Sequence, residues 1–367
     1  MFPRDVIPAG PVVLRPPADD DIASIVRACA DPEIARFIPA VPVPYTRDDA
    51  LFYLKTAERL WESGGASFAV ADAGTGEWLG NIGLKALDPR GNGEVGYLIA
   101  PWARGRGVAT AATRALTEWA FTHGVRRMEL LAAVENLASQ KVAMAAGFHR
   151  EGVRRSAEPR RDGTRGDLVS FARLSGDSGD RVRPYLPGFP GGSLSDGVVR
   201  LTPLTAADAD DYHALQSLPE VVAHSVRPQS SDPAESEAFC RMAAMRWLAG
   251  ERAEIAIRDA RTDAFAGHLQ FSSIVPPLGQ AMTGYSTLPE FRGRRLTTRA
   301  VILLVEWAFT HTSLARIIAG TSPDNLASQR VLESAGFTRE AILHGMMPGP
   351  DGTRLDDLQW YRLRPPG

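Results

Sequence analysis

The chain has 367 residues, of which 44% are hydrophobic and 23% charged, with a formal net charge of −2. That length exceeds one ordinary domain and suggests two, each large enough to bury its own core. The near-neutral charge gives no whole-chain attraction to nucleic acid or membrane, and no stretch approaches the roughly 18 apolar residues of a membrane span. Cys29 and Cys240 fall in different halves and neither opens a metal-ligand spacing. Neither a disulfide framework nor a metal is expected, and the N-terminus has no leader pattern, so a cytoplasmic setting follows.

In chain order, Asp19 to Ala30 and Asp48 to Glu62 carry apolar residues at helical spacing behind acidic residues suited to a helix start. Ser67 to Ala71 and Trp78 to Leu87 read as strands around a Gly-Thr-Gly turn. Glu94 to Ala100 is a further strand, in which Val95, Tyr97 and Ile99 alternate with Glu94, Gly96 and Leu98, one set toward the core and one toward a cleft. A helix is expected from about Val108 to His123, then a strand near Met128 to Val134, a helix from Leu137 to Ala146 and two more strands before Leu174. His123, just before Gly124, suits the negative end of its helix better than a catalytic role.

The same order then recurs. NLASQKVAMAAGFHRE at 136–151 is answered by NLASQRVLESAGFTRE at 325–340, EWAFTH at 118–123 by 306–311, PWARGRG at 101–107 by PEFRGRR at 289–295, and DGTRGD at 162–167 by DGTRLD at 351–356. A displacement that stays at 188 to 189 requires two colinear domains. The expected division is 1–174, a Gly/Pro/Ser-rich linker at 175–196, and 197–367. Tyr185, Leu186 and Phe189 in the linker are candidates to pack on a domain surface.

Arg104-Gly105-Arg106-Gly107-Val108-Ala109 stands between a strand and a helix. Glycines let successive amides converge, and the helix start adds partial positive charge, so the segment suits an anion such as a pyrophosphate, with Arg104 and Arg106 in support. The same turn also serves as a plain strand-to-helix connection. With Arg104, Gly107 and Ala109 spaced as Arg/Gln-x-x-Gly-x-Gly/Ala, with Glu94-Val95-Gly96-Tyr97 upstream and with Asn136-Leu137-Ala138-Ser139 and Gly147-Phe148 downstream, the chain resembles the GNAT superfamily. Within it, both copies resemble the RimJ/RimL-type N-acetyltransferases.

The resemblance implies an α/β (mixed α+β) fold, two tandem domains each built on a splayed mixed sheet flanked by helices. It implies acetyl-CoA or another acyl-CoA as donor, without metal, held by Leu98, Ile99, Arg104, Gly105, Arg106, Gly107, Val108, Ala109, Thr110 and Asn136. Acyl transfer needs a base for the amine and a proton donor for the departing thiolate. Glu158, six residues past Gly152, matches the group's catalytic Glu; Glu94 is the alternative base, and a solvent-facing turn Glu is the structural alternative for Glu158. Ser139 matches the proton donor, since Ala143 occupies the place where other relatives carry Tyr. Ser139 and Asn136 also suit plain helix-opening roles.

In the second copy Gly107 is answered by Arg295, Ala109 by Thr297, Glu94 by Met282 and Glu158 by Met347, while Asn325 and Ser328 persist. The expectation is a catalytic first domain and a degenerate second that forms an intramolecular pseudo-dimer with it. A weaker second donor site on Arg292, Arg294 and Arg295 is the alternative for that copy. The expected reaction is N-acylation of a primary amine, a small molecule or a peptide N-terminus, by direct attack in a ternary complex, with no nucleic acid or membrane partner. The rival is a non-catalytic acyl-CoA-binding sensor.

Overall fold

The computed structural model describes residues 2–225, 232–349 and 352–366. Met1 and Gly367, the expected domain ends, and Asp351, which opens the second DGTR run, lie outside them. The chain divides into two compact units, Met1–Arg183 and Pro184–Gly367.

In the first unit β1 (Ile7–Ala9) and β2 (Val12–Arg15) precede α1 (Ile22–Cys29), α2 (Pro32–Phe37) and α3 (Arg47–Glu62). β3 (Ala66–Asp72), β4 (Trp78–Leu84), β5 (Gly93–Ile99), α4 (Val108–Thr122), β6 (Arg127–Ala133), α5 (Leu137–Ala145), β7 (His149–Pro159) and β8 (Arg165–Leu174) follow. Local chemistry sets the helix starts. Pro32 opens α2 behind Asp31, whose carboxylate accepts the Glu33 N–H at 3.0 Å. Thr46 and Asp49 exchange backbone bonds in a capping box at α3.

The strands form one sheet in the order β1-β2-β3-β4-β5-β6-β8-β7, in which β5 and β6 are parallel and the other neighbours antiparallel. The strand β3 is buried along nearly its whole length. Its Phe68 packs edge-on between Trp61 and Trp119, with ring centroids 5.1 and 5.4 Å away. Each such buried side chain contributes about 1.5–3 kcal/mol.

The second unit repeats this plan with β9 (Leu194–Ser195), β10 (Val199–Pro203), α6 (Ala209–Gln216), α7 (Pro219–Ala223), α8 (Pro233–Leu248), β11 (Ala253–Asp259) and β12 (Phe265–Val275). It continues through β13 (Gln280–Thr287), α9 (Leu296–His311), β14 (Arg316–Thr321), α10 (Leu326–Ser334), β15 (Thr338–Pro348) and β16 (Arg354–Leu363). The sheet order, β15-β16-β14-β13-β12-β11-β10-β9, is the same when read in reverse. Leu186 and Phe189 are buried in this unit's core, where Phe189 meets Trp247 and Trp307 edge-on at 5.0 Å each. Earlier in the same stretch, the Val182 N–H bonds the Met144 carbonyl at 2.9 Å. The Gly/Pro/Ser-rich segment is thus anchored by a main-chain hydrogen bond at Val182 and by packing at Leu186 and Phe189.

Cys29 and Cys240 are buried free thiols, and no cluster of metal-ligating side chains occurs among the described residues. No described helix is long and apolar enough to cross a membrane.

Candidate active site

The first unit opens where its sheet changes direction. The strands β5 and β6 pair only over Gly93–Val95 with Met128–Leu130 and then part. Lys85 N–H bonds the Glu94 carbonyl and Ala100 N–H bonds the Leu79 carbonyl, which sets the phase of the β4 ladder. Alternation therefore commits the amides of Gly96 and Leu98 to β4 and turns those of Tyr97 and Ile99 into the gap. Of the two β5 residues expected to hold a donor, Ile99 offers free backbone there, while Leu98 offers its half-buried side chain.

Beyond β5 a short turn, Pro101–Ala103, leads into the glycine loop. Gly105 (φ 73°) and Gly107 (φ 77°) take left-handed conformations that side chains disfavour. Gly107 caps α4 without a side chain, so the first-turn amides of Val108, Ala109 and Thr110 have neither a helical partner nor a side-chain cap. A Cβ on Gly107 would meet nothing within 4 Å, which leaves the approach to those amides open. These features fit the diphosphate of an acyl-CoA. Arg104 is paired with Asp31 at 2.6 Å and Arg106 faces Asp72 at 3.6 Å. Both arginines thus tie the loop to α2 and β3 as well as lending it charge, partnerships that no local sequence signal reveals. At the far end of α4, a His123 ring nitrogen lies 2.8 Å from the Trp119 carbonyl, in the capping role expected of it.

Asn136 caps α5, its Oδ1 accepting the Ser139 N–H at 3.0 Å. The capping job being taken, Ser139 Oγ is free of the backbone and instead accepts from the Tyr97 hydroxyl at 2.9 Å. A hydroxyl whose oxygen accepts still has its own proton to give. Burial pushes the Tyr97 phenol up to about 12, so it stays a donor throughout the working pH range. Sequence reasoning missed this hydroxyl; the β5 alternation that sets Tyr97 opposite to Glu94 was the available signal. Asn136→Ala should cost about 1 kcal/mol in thermal or denaturant unfolding, the worth of a cap. Tyr97→Phe and Ser139→Ala should each lower kcat by about 10-fold, the part of a general-acid contribution that one hydrogen bond can carry; a steady-state assay with unchanged kcat in both would remove them from the chemistry.

The two candidate bases are placed differently. Glu94 is ion-paired with Lys85 at 2.5 Å. Glu158 lies on β7 past a bulge, where Arg154 faces Leu168 but Glu158 faces Gly166. The bulge turns on Ser156, a non-glycine residue at φ 50°. Asp167 accepts the Ser156 N–H at 2.8 Å, and Arg165 donates to the carbonyls of Ser156 and Ala157. So clamped, the half-buried Glu158 lines a cleft of about 300 Å³ between the β7–β8 hairpin, the end of β6 and α2. Its carboxylate has no ion-pair or hydrogen-bond partner among the described residues. The structure joins Ser139 to Tyr97 and Glu158 to the cleft, and it places Glu94 with neither.

The second unit keeps the framework and changes the side chains. The strands β13 and β14 pair only over Gln280–Met282 with Arg316–Ile318, Asn325 caps α10 through the Ser328 N–H, and Tyr285 lies 2.9 Å from Ser328 Oγ. The bulge recurs at Gly345, held by Asp356 and Arg354. Arg295 caps α9 at φ 58°, the conformation that Gly107 takes at no steric cost. Thr297 and Thr287 share a 2.6 Å hydrogen bond beside it. Arg292 is paired with Glu220 and Arg294 with Asp259.

The first unit thus joins a sheet split at its parallel pair to a glycine-capped helix open to an anion. The acetyltransferase (GNAT) domain model matches residues 12–149 and 199–338. The chain belongs to the GNAT acetyltransferase family, a family of acyl-CoA-dependent N-acetyltransferases, and carries two such domains in tandem. It is similar to the probable N-acetyltransferase YjcK of Bacillus subtilis (strain 168), with 39% identity over 93 residues, 25% of this chain and about half, 51%, of that protein. It is also similar to the uncharacterized N-acetyltransferase p20 of Bacillus licheniformis, with 28% identity over 42% of this chain and 86% of that one. Among solved structures, a ribosomal-protein-S5-alanine acetyltransferase from Vibrio fischeri is 20% identical over 47% of this chain and 96% of its own, with a TM-score of 0.43.

Proposed function

We propose that the first unit, whose acyltransferase domain ends near residue 174, transfers an acyl group, in the first place acetyl, from an acyl-CoA to a primary amine of a small molecule by direct attack. The domain from about residue 197 in the second unit is a degenerate copy. The observation that carries this reading is the Glu158 carboxylate, without a partner among the described residues, facing a cleft in the same unit whose α4 amides are left open.

The donor, when bound, supplies an activated thioester carbonyl, so no covalent enzyme intermediate is required. Val108, Ala109 and Thr110 amides with Gly105 and Gly107 would hold its diphosphate, with Arg104 and Arg106 adding charge. Ile99 and Tyr97 amides, the Leu98 side chain and Asn136 would line its arm. Glu158 takes the proton from the attacking amine. Ser139, oriented by Tyr97, directs its own proton toward the leaving sulfur. The second unit lacks both candidate carboxylates, having Met282 and Met347 in their places. The two free buried thiols suit a cytoplasmic setting.

Initial rates over a grid of acetyl-CoA and amine concentrations test the reading. Intersecting double-reciprocal lines and an acetylated amine by mass spectrometry are expected. Parallel lines would overturn direct attack. Tight acetyl-CoA binding by calorimetry with no amine consumed would favour the sensor instead.

A further inference from the structure

The cleft that Glu158 lines carries charges that its own residues do not cancel. Four carboxylates and three guanidiniums border it. Most are spoken for. Arg160 pairs with Glu135 at 2.5 Å, and Arg36 pairs with Glu33 at 3.2 Å while lying over the Phe37 ring. Asp162 accepts from the Thr164 N–H and hydroxyl, and Asp167 from the Ser156 N–H. Asp162 and Asp167 are thus satisfied by hydrogen bonds rather than by cations, and Glu158 and Arg161 face the cleft without a charged partner among the described residues.

Arg161 is not idle. Its Nε donates to the Ala35 carbonyl at 3.1 Å, which fixes the guanidinium plane against the last turn of α2 and leaves the Nη edge over. That edge is a planar fork of donors matched to a carboxylate. Two residues, Pro159 and Arg160, lie between Glu158 and Arg161, at most about 11 Å of backbone, a span that a small molecule crosses with a hydrogen bond at each end. Phe37 and Pro39 add apolar surface to the same cleft.

We propose, resting on the assignment of Glu158 as the base, that the acceptor is a zwitterionic amine of the amino-acid type, whose carboxylate is bound by Arg161 while its amino group faces Glu158. A carboxylate with no hydrogen-bond partner among the described residues and a guanidinium with a free edge, in one cleft of about 300 Å³, complement a molecule carrying the opposite pair. In the second unit these charges disappear together: Met347 stands for Glu158, Ala223 for Arg36, Gly349 for Arg160 and, in the sequence, Pro350 for Arg161.

The test compares matched amines that differ only by the carboxylate, using the full chain and acetyl-CoA: phenylalanine with phenethylamine, tyrosine with tyramine, histidine with histamine. The expected result is a kcat/KM at least 10-fold higher for the amino-acid member. Arg161→Gln should erase that preference through KM, leaving the plain amines and the acetyl-CoA affinity as they were. Equal or better turnover of the decarboxylated amines by the unaltered protein overturns the proposal, and this readout needs no variant to fold. So does an Arg161→Gln protein that loses both members of a pair alike, which would mark a purely structural tie to Ala35. Acetylation of a polyamine or a peptide N-terminus with none of the six consumed sinks the zwitterion while sparing acyl transfer. Acetyl-CoA bound with no amine of any kind consumed sinks both.

Discussion

Replacing Glu158 by glutamine should lower kcat by about 10²- to 10⁴-fold, the usual worth of a positioned general base, with acetyl-CoA affinity unchanged. Glutamine keeps the shape and removes the charge, and the Ser156 clamp that places residue 158 uses backbone atoms, so the geometry survives the change. Glu94→Gln is the matched control. It breaks a pair whose lysine is 65% exposed, the kind of surface contact worth about 1 kcal/mol or less, and kcat should fall by no more than about 3-fold. If the two variants exchange these results, the base is Glu94 and the cleft beside α2 is not where the amine reacts.

Gly107→Asp should weaken acetyl-CoA binding in calorimetry by at least about 100-fold, or roughly 2.7 kcal/mol, while the protein stays folded. The added Cβ meets open space, and aspartate is among the side chains that tolerate the left-handed region. What changes is electrostatic. A carboxylate beside the uncapped amides of Val108, Ala109 and Thr110 repels a diphosphate and competes for the same donors. Unaltered affinity in a folded variant would mean that the donor is held elsewhere. Arg295→Gly then becomes informative, since affinity that responds there and not at Gly107 would assign donor binding to the second unit.

The repeat, the succession of the longer helices and strands along the chain and the glycine loop were legible because each is written in local signals: a constant displacement, a period of two or 3.6, a glycine at a required backbone angle. The short β1, β2 and α2 were not, since three to six residues are too few for a period to stand out. The site was legible in part. Ser139, Asn136 and Glu158 came from matching spaced motifs, but what each touches did not. Asp31 and Asp72 meet Arg104 and Arg106 from residues far earlier in the chain, and only the closed sheet brings them there. Lys85 reaches Glu94 across the β4–β5 connection, a pairing that reads from sequence as two unrelated surface charges. The bulge at Ser156 was hidden because serine does not announce a positive φ, although Gly345 at the matching place in the second copy does.

That bulge has a use apart from catalysis. Because Asp356 and Arg354 grip the main chain around Gly345 as Asp167 and Arg165 grip it around Ser156, the pedestal is indifferent to the side chain it displays two positions on. Residue 347 is therefore a vacant lectern: a designer who varies it inherits a fixed stance without rebuilding the hairpin, and the chain already holds a worked comparison of an acid and a thioether delivered from the same spot.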